Sequence, residues 1–323
     1  RLAEMGCKVV ITCRSVELVA STAERMQREF ERRRLTLYTS RNIPTPPVLD
    51  IVRGLTLELD NFDSVRTFAA KFSELSIPCH FLVNNAGMMV KPLQFSAHNP
   101  DLELHTAVNF LGPVLLTELL LPILVSSDGR IINVASEAHR QPQGRIPLHA
   151  AKPLTDSEID DMLVDCVISR AYHGGNSVRD GMARYGLSKL CNVYHAHYLA
   201  TKYAGLLSVC SLHPGVVATG VWRNVLGKFV RALLDKASLL LLKTEEEGAE
   251  TTLFCCLVDE DALKPIPHPT NPACKVAPYF VDCTDCTKLL LRPIAWNVGA
   301  AMRIVEWARV MVGIKDGDVH DFS

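Results

Sequence analysis

No excess of either charge marks this chain: 34 Lys and Arg stand against 35 Asp and Glu, a net −1 over 323 residues. That balance removes the electrostatic footprint of a nucleic-acid binder and of a protein drawn to an anionic bilayer. Also missing is any uninterrupted apolar run of the roughly 18 residues that a membrane-crossing helix requires. The nearest approach, residues 229–242, carries Arg231, Asp235 and Lys236 and reads as an amphipathic helix, the stretch best suited to touch a membrane surface. Regular cysteine spacing is absent as well. Eleven scattered cysteines are an odd number in a chain too long to need staples, which fits reduced thiols in a cytoplasmic or cytosol-facing setting. Cys283 and Cys286 have no second pair at zinc-site spacing, and His195 and His197, two apart on a helix, point in different directions. Neither pair predicts a metal.

What is present is core material, with 48% hydrophobic and 21% charged residues, enough for one large α/β domain. The chain opens on Arg1. Residues 1–6 read as the last turn of a helix with Gly6 just past its end, too short to stand alone. A β-rich run, 7–13, follows. The chain is therefore expected to begin inside a helix preceded by a strand further upstream, and so to be truncated at its N-terminus.

From there helix and strand patterns alternate, predicting a parallel sheet covered on both faces. Helices are expected at 16–34 (inner face Leu18, Val19, Met26 and Phe30), 64–72, 102–124 and 181–203, and strands at 55–60, 80–83, 130–134 and 207–211. Two stretches break the rhythm. Residues 39–53 contain Pro44, Pro46 and Pro47, and residues 141–180 contain one short helix at 155–168. With no internal repeat, the reading is one domain over 1–323 with insertions near 39–53 and 141–180 and a substrate lid near 220–245.

Tyr185 and Lys189 share a helix face. A phenol is a poor proton donor or acceptor near neutrality, and a nearby ammonium would pull its pKa down. Tyr198 and Lys202 form a second such pair, thirteen residues on and nearly on the opposite face. Tyr185 is preferred because it lies near the start of its helix, beside the strand carboxyl ends where open α/β sheets bind ligands. Ser136 directly follows the strand 130–134 and could hydrogen-bond a substrate carbonyl or act as a turn serine. Asn109 is a polar amide within an apolar helix, satisfied by a backbone carbonyl or a water. Arg14 ends the first visible strand, where a cation suits a ribose 2′-phosphate. The run Glu245 to Glu247 reads as a solvated helix start.

Taken in order, Asn84-Asn85-Ala86-Gly87, Asn109, Asn133 to Ser136, Tyr185 to Lys189 and His213 to Thr219 resemble the short-chain dehydrogenase/reductase family. Ile11 to Arg14, Ser136 to His139, Thr244 to Ala249 and Pro278 to Cys283 resemble its retinol dehydrogenase-like branch. The resemblance covers nearly the whole chain apart from the two insertions. It implies a Rossmann-type doubly wound parallel sheet binding NADP, with NAD as the alternative, and a small apolar alcohol or carbonyl substrate. It assigns Tyr185 as acid/base and Lys189 to the nicotinamide ribose and to lowering the tyrosine pKa. Ser136 would polarise the carbonyl, and Asn109 would hold a water in a proton relay. Asp60 would contact the adenine, Asn85, Ala86 and Gly87 would line the cofactor cleft, Pro214 and Gly215, at the end of the strand 207–211, would bind the cofactor, and Thr219 would bind near the nicotinamide amide. The nicotinamide performs the hydride chemistry.

Two departures accompany the likeness. The Gly-rich phosphate loop expected ahead of Gly6 is absent, together with a first strand that would occupy the sheet centre. That absence alone would destabilise the chain and weaken cofactor binding. The interval from Ser136 to Tyr185 is also about twice that of the branch. A rival reading from another class is a catalytically silent dinucleotide-binding scaffold or sensor. A third keeps the chemistry and adds membrane association through an upstream apolar segment.

Overall fold

The computed structural model describes residues 1–40, 51–140, 155, 157–158, 176–217, 243–268, 271–291 and 293–314. Most of the expected helix at 155–168, the expected helix at 229–242 and most of the expected insertions and lid lie outside these. The opening turn is a 3₁₀ turn, Ala3–Met5, closed by Gly6 at φ +91°, a conformation that glycine adopts without strain. Strand β1, Val9–Cys13, then leads into helix α1, Val16–Ser40. This helix outruns its expected end. Glu29 pairs with Arg32 and Arg33, and Glu31 with Arg34, at helical spacing along its last turns. Of the expected inner face, Val19 and Phe30 are buried, whereas Leu18 is exposed and Met26 borders a large cavity.

Strand β2 runs over Val52–Thr56, not 55–60, and pairs in parallel with β1, Val9 opposite Val52. Strand and helix approach closely here. A Cβ on Gly54 would lie 2.8 Å from the Val19 carbonyl oxygen, so β2 lies tight against α1 only with glycine there. Helix α2, Phe62–Glu74, starts where the Asn61 side chain accepts from the Ser64 N–H at 3.2 Å.

The main sheet places β3 (Phe81–Asn84), β4 (Arg130–Val134), β5 (Ser208–His213) and, after a separate ribbon β6–β7 (Ile266–His268, Asn271–Val276), β8 (Tyr279–Val281) side by side in parallel. A short antiparallel β9, Thr284–Asp285, ends it. Strands β1 and β2 form their own two-stranded sheet. Val9 of β1 and Val83 of β3 line one cavity, and among the described residues no strand bridges them. Between β3 and β4 the chain makes a helical turn, Leu104–Thr106, a π-helical segment, Ala107–Leu111, and helix α3, Gly112–Ser126. Together these 23 residues are long and apolar enough to cross a membrane, which the sequence reading did not anticipate. Most of them are buried, however, with Leu115, Leu120, Leu121 and Leu124 fully inside, as in a soluble core helix.

Helix α4, Val178–Lys202, opens with a capping box between Ser177 and Asp180. It is wedged between the sheet and the C-terminal helix α6, Val298–Met311, so it is buried almost all round. Ile131 and Val209 join the core on that side. Ile132, Val134, Cys210 and Leu212 face the opposite layer and pack with Cys255 and Cys256 of helix α5, Glu245–Leu257. Alternate strand residues thus point to opposite covered faces, which is why these strands read as continuous apolar runs. The architecture is the Rossmann-type α/β fold.

Candidate active site

The carboxyl ends of β3, β4 and β5 deliver three short segments to one place: Asn85 to Gly87, Ala135 to Ser136, and Pro214 to Gly215. A polar row lies one layer beneath. Asn84, Asn133, Ser211 and Tyr279 are register partners across the sheet, and Asn84 donates to Asn133 Oδ1 at 2.9 Å and to Thr117 at 3.2 Å. Strand ends tied in this way cannot slide, so the loops above them are held in register. Helix α4 crosses above with Tyr185 and Lys189. The open cleft is about 1360 Å³ and is bordered by Asn85, Gly87, Ser136, Tyr185, Lys189 and Gly215, with Ala86 and Pro214 also on its wall, and it runs on into the gap between β1 and β3 beside Arg1, Leu2 and Val9. Ligand pockets usually span about 300–1,000 Å³, and this cleft is larger than that range.

Lys189 is almost wholly buried. Its Nζ donates to the Val134 carbonyl at 2.7 Å and lies 5.8 Å from the centre of the Tyr185 ring. Burial depresses its pKa to about 8. Burial also acts on Tyr185, in the opposite direction: it holds the phenol above its ordinary value, while a hydrogen bond with the Ser136 side chain opposes the rise. The direction is opposite to the lowering expected from Lys189, because loss of water penalises the charged form of each group. The arrangement favours a protonated phenol at neutral pH, which is a proton donor.

Ser136 makes the turn contact that one of its two sequence readings expected. Its Oγ accepts from the Ala138 N–H at 3.2 Å, as a turn serine does, which leaves its proton for another acceptor. Its carbonyl accepts from His139 N at 3.0 Å and lies 2.6 Å from His139 Nδ1. Asn109 lies in the π-helical segment, a distortion common at functional sites. Its Oδ1 accepts from Met88 N at 2.8 Å, and its Nδ2 donates to the Met88 carbonyl at 3.0 Å and to Ser188 Oγ at 2.9 Å. Backbone partners satisfy it, as one reading expected, and it does not border the cavity.

Whether a nicotinamide dinucleotide fits is tested by Gly87. A Cβ there would stand 3.1 Å from Lys189 Nζ and 3.4 Å from Asn109 Oδ1, so glycine leaves the cleft wall open beside both groups where a larger residue would press on the Lys189 ammonium. That cradle, the cavity volume and the Tyr185–Lys189–Ser136 donor set suit the nicotinamide half. Arg14 lies exposed at the end of β1 and does not border the cavity. Asp60 is buried in the turn before α2 with its carboxylate accepting from Ser96 Oγ at 2.9 Å, and it is also off the wall. Thr219 lies outside the described residues. No glycine-rich turn borders the cavity among the described residues; Arg1 to Ala3 occupy that rim.

The sequence reading missed some groups at the site. Glu245 and Glu246 border the cavity as well as starting a helix capped by Thr244 and Glu247. A buried Glu103–His105–Arg184 cluster lies behind Tyr185. The only sequence signal for it was a Glu-x-His at the start of an apolar helix. Tyr198 proves remote, its hydroxyl donating to Glu306 at 2.7 Å. His197 joins core segments, Nε2 to the Ala295 carbonyl at 3.0 Å and Nδ1 to Ala277 N at 3.1 Å.

Comparison with known proteins places this geometry. Residues 50–152 match the family model described as short chain dehydrogenase. Human retinol dehydrogenase 12 is 30% identical over 97% of this chain and 81% of its own length. Human retinol dehydrogenase 11 is 31% identical over 80% of this chain and 67% of its own. A chloroplastic short-chain dehydrogenase of Brassica napus, TIC 32 A, is 31% identical over 72% of this chain and 64% of its own. Among solved structures, salutaridine reductase from Papaver somniferum superposes with a TM-score of 0.52 at 22% identity, covering 80% of this chain and 90% of that one. The RhlG/NADP complex of Pseudomonas aeruginosa gives 0.51 at 20%, covering 79% and 81%. These two likenesses speak to the fold.

Proposed function

This chain belongs to the short-chain dehydrogenase/reductase family, in its retinol dehydrogenase-like branch, and is thus an NAD(P)-dependent oxidoreductase of CH–OH groups; we propose that it interconverts an apolar alcohol and its aldehyde or ketone, of retinoid, steroid or lipid type, using NADP(H). The single observation that carries this reading is the convergence of Ser136, Tyr185 and Lys189 on one cavity beside Gly87. The same wall offers Met89, Met182, Val217 and Leu253, an apolar surface for such a substrate.

When bound, the nicotinamide supplies or receives the hydride. The rest falls to this chain. In reduction, the carbonyl oxygen gains negative charge as hydride reaches its carbon. The Ser136 hydroxyl, with Ala138 fixing its lone pair, donates a hydrogen bond to that oxygen. The Tyr185 hydroxyl then gives up its proton and leaves phenolate. Lys189, tethered at Val134, stabilises that phenolate and would anchor the nicotinamide ribose. Asn109 pins the loop at Met88 beside Lys189, and a water there would carry protons between Lys189 and solvent. Oxidation reverses each transfer.

The test is NADPH-dependent reduction of a panel of retinoid, steroid and medium-chain carbonyls. Tyr185→Phe should lower kcat by about 10²–10⁴. Full activity of that variant would overturn the mechanism, and a wild-type protein that binds NADPH but reduces nothing in the panel would favour a silent binding module. The NADP preference rests on Arg14 at the end of β1. Replacing it with Ala should cut the preference for NADPH over NADH by about tenfold, the worth of one charged hydrogen bond. An unchanged ratio would remove that assignment.

A further inference from the structure

Behind Tyr185, off the cavity wall, the side chains of Glu103 and His105 are buried. Both nitrogens of the imidazole are committed. Val90 N–H donates to Nε2 at 3.0 Å, so that nitrogen carries a lone pair. The ring proton therefore sits on Nδ1, which donates to Glu103 Oε1 at 2.5 Å. The second carboxylate oxygen accepts from Thr106 N at 2.9 Å and starts the helical turn. Arg184, the neighbour of Tyr185 on α4, lies 3.7 Å from Glu103 Oε1 and donates to the Lys91 carbonyl at 2.7 Å. The faces of His105 and Tyr185 meet at 64° with their centres 6.5 Å apart, an edge-to-face contact.

These contacts converge on two things. One is the segment from Met88 to Lys91: Asn109 fastens it at Met88, His105 at Val90 and Arg184 at Lys91. The residues just ahead of it, Asn85 to Gly87, and Met89 within it form the cleft wall. The other is the Tyr185 ring. An imidazole with neither nitrogen free and no access to the cavity cannot serve as acid or base. A carboxylate taken out of water is costly unless it is fully partnered, and here each oxygen holds one piece of the surrounding backbone or ring in place.

We propose that Glu103 and His105 are a positioning pair: a carboxylate fixes one tautomer of the imidazole, which in turn fixes the Met88–Lys91 wall and the ring of Tyr185, exchanging no proton with substrate. Its kinetic part rests on the function proposed above.

Three variants of the full chain test it. His105→Phe keeps a ring against Tyr185 but removes the acceptor for Val90 and the donor to Glu103. His105→Gln returns an acceptor within reach of Val90. Glu103→Gln presents an amide N–H to a ring nitrogen that is itself a donor, so the tautomer is no longer held. Three readouts apply: hydrogen exchange of the Val90 amide without cofactor, NADPH affinity by fluorescence titration, and kcat, KM and pH profile per NADPH-binding site. His105→Phe and Glu103→Gln should speed Val90 exchange, weaken NADPH binding and lower kcat, each by about tenfold or more, a common cost of slight misplacement, with substrate KM little changed. His105→Gln should recover most of all three and keep the shape of the pH profile.

Val90 exchange and NADPH affinity that stay at wild-type values in His105→Phe would overturn the proposal. So would His105→Gln performing no better than His105→Phe, or losing a limb of the pH profile, which would make His105 an acid or base. If the wild-type protein reduces no carbonyl, the function proposal fails alone, because exchange and NADPH affinity still decide the role of the pair.

Discussion

Replacing Lys189 with Met should separate what this residue does for chemistry from what it costs the fold. Lys189 is 2% exposed, and burial lowers its pKa from an ordinary 10.5 to about 8. At about 1.36 kcal/mol per factor of ten, that difference is a destabilisation of about 3 kcal/mol wherever both states are protonated. That figure already contains whatever the ammonium gains from its 2.7 Å bond to the Val134 carbonyl; in the Met variant this carbonyl loses that donor, at a cost of about 1–3 kcal/mol. At pH 7 the Met variant should therefore be about as stable as wild type, while its kcat falls at least about 100-fold with the loss of the cation beside Tyr185. The pH dependence carries the sign. The folded value lies below the unfolded one, so between pH 8 and 10.5 the unfolded chain binds a proton that the native chain has released. The native state then gains stability as pH rises. The penalty is complete below pH 8 and gone above 10.5. Urea unfolding of both proteins in matched buffers from pH 7 upward cancels every other titrating group. Wild type should gain about 3 kcal/mol on the variant across that window. A difference that stays flat, or moves the other way, would refute the claim that burial governs Lys189.

Two further substitutions probe the frame around the site. Tyr198→Phe removes only the bond to Glu306 and should cost about 1 kcal/mol in chemical denaturation with kcat unchanged; a loss of activity matching that of Tyr185→Phe would undo the choice between the two tyrosines. Arg309 lies 3.2 Å from the buried Glu118 and also pairs with Glu306. Arg309→Met should cost about 3–5 kcal/mol by stranding the Glu118 carboxylate, and adding Glu118→Leu should recover most of it, checked by urea midpoints.

Much of this was readable in the amino-acid order because it depends on local spacing. The alternation of apolar runs located β3, β4 and β5 to within two residues, and the four-residue interval put Tyr185 and Lys189 on one face. Features set by distant contacts were not readable. Strand β2 begins at Val52 and brings Gly54 against Val19, a tertiary approach with no periodic signature. The π-helical segment around Asn109 looks in sequence like any apolar helix. Asp60 was expected at the adenine, but the turn before α2 turns its carboxylate toward Ser96. The sign of the Tyr185 shift was also misjudged, because spacing reveals the neighbouring cation and says nothing of how deeply both groups are buried.

That burial fixes how the reaction should respond to pH. Tyr185 is held high by loss of water, and the neighbouring His139 is pushed down to about 4 and His213 lowered by the same cause. The groups lining and underlying the cleft are thus biased toward their neutral forms. In the mechanism proposed above, reduction needs the phenol protonated, and the direction of its shift keeps it so at neutral pH. Oxidation needs the phenolate, which burial makes scarce until the solution is alkaline. Initial rates in the two directions should therefore diverge: carbonyl reduction level through neutrality and falling on the alkaline side, alcohol oxidation climbing over the same range. Both limbs should vanish in Tyr185→Phe. Oxidation rates that do not rise between neutral and alkaline pH would mean that the proton leaves through some group other than this phenol.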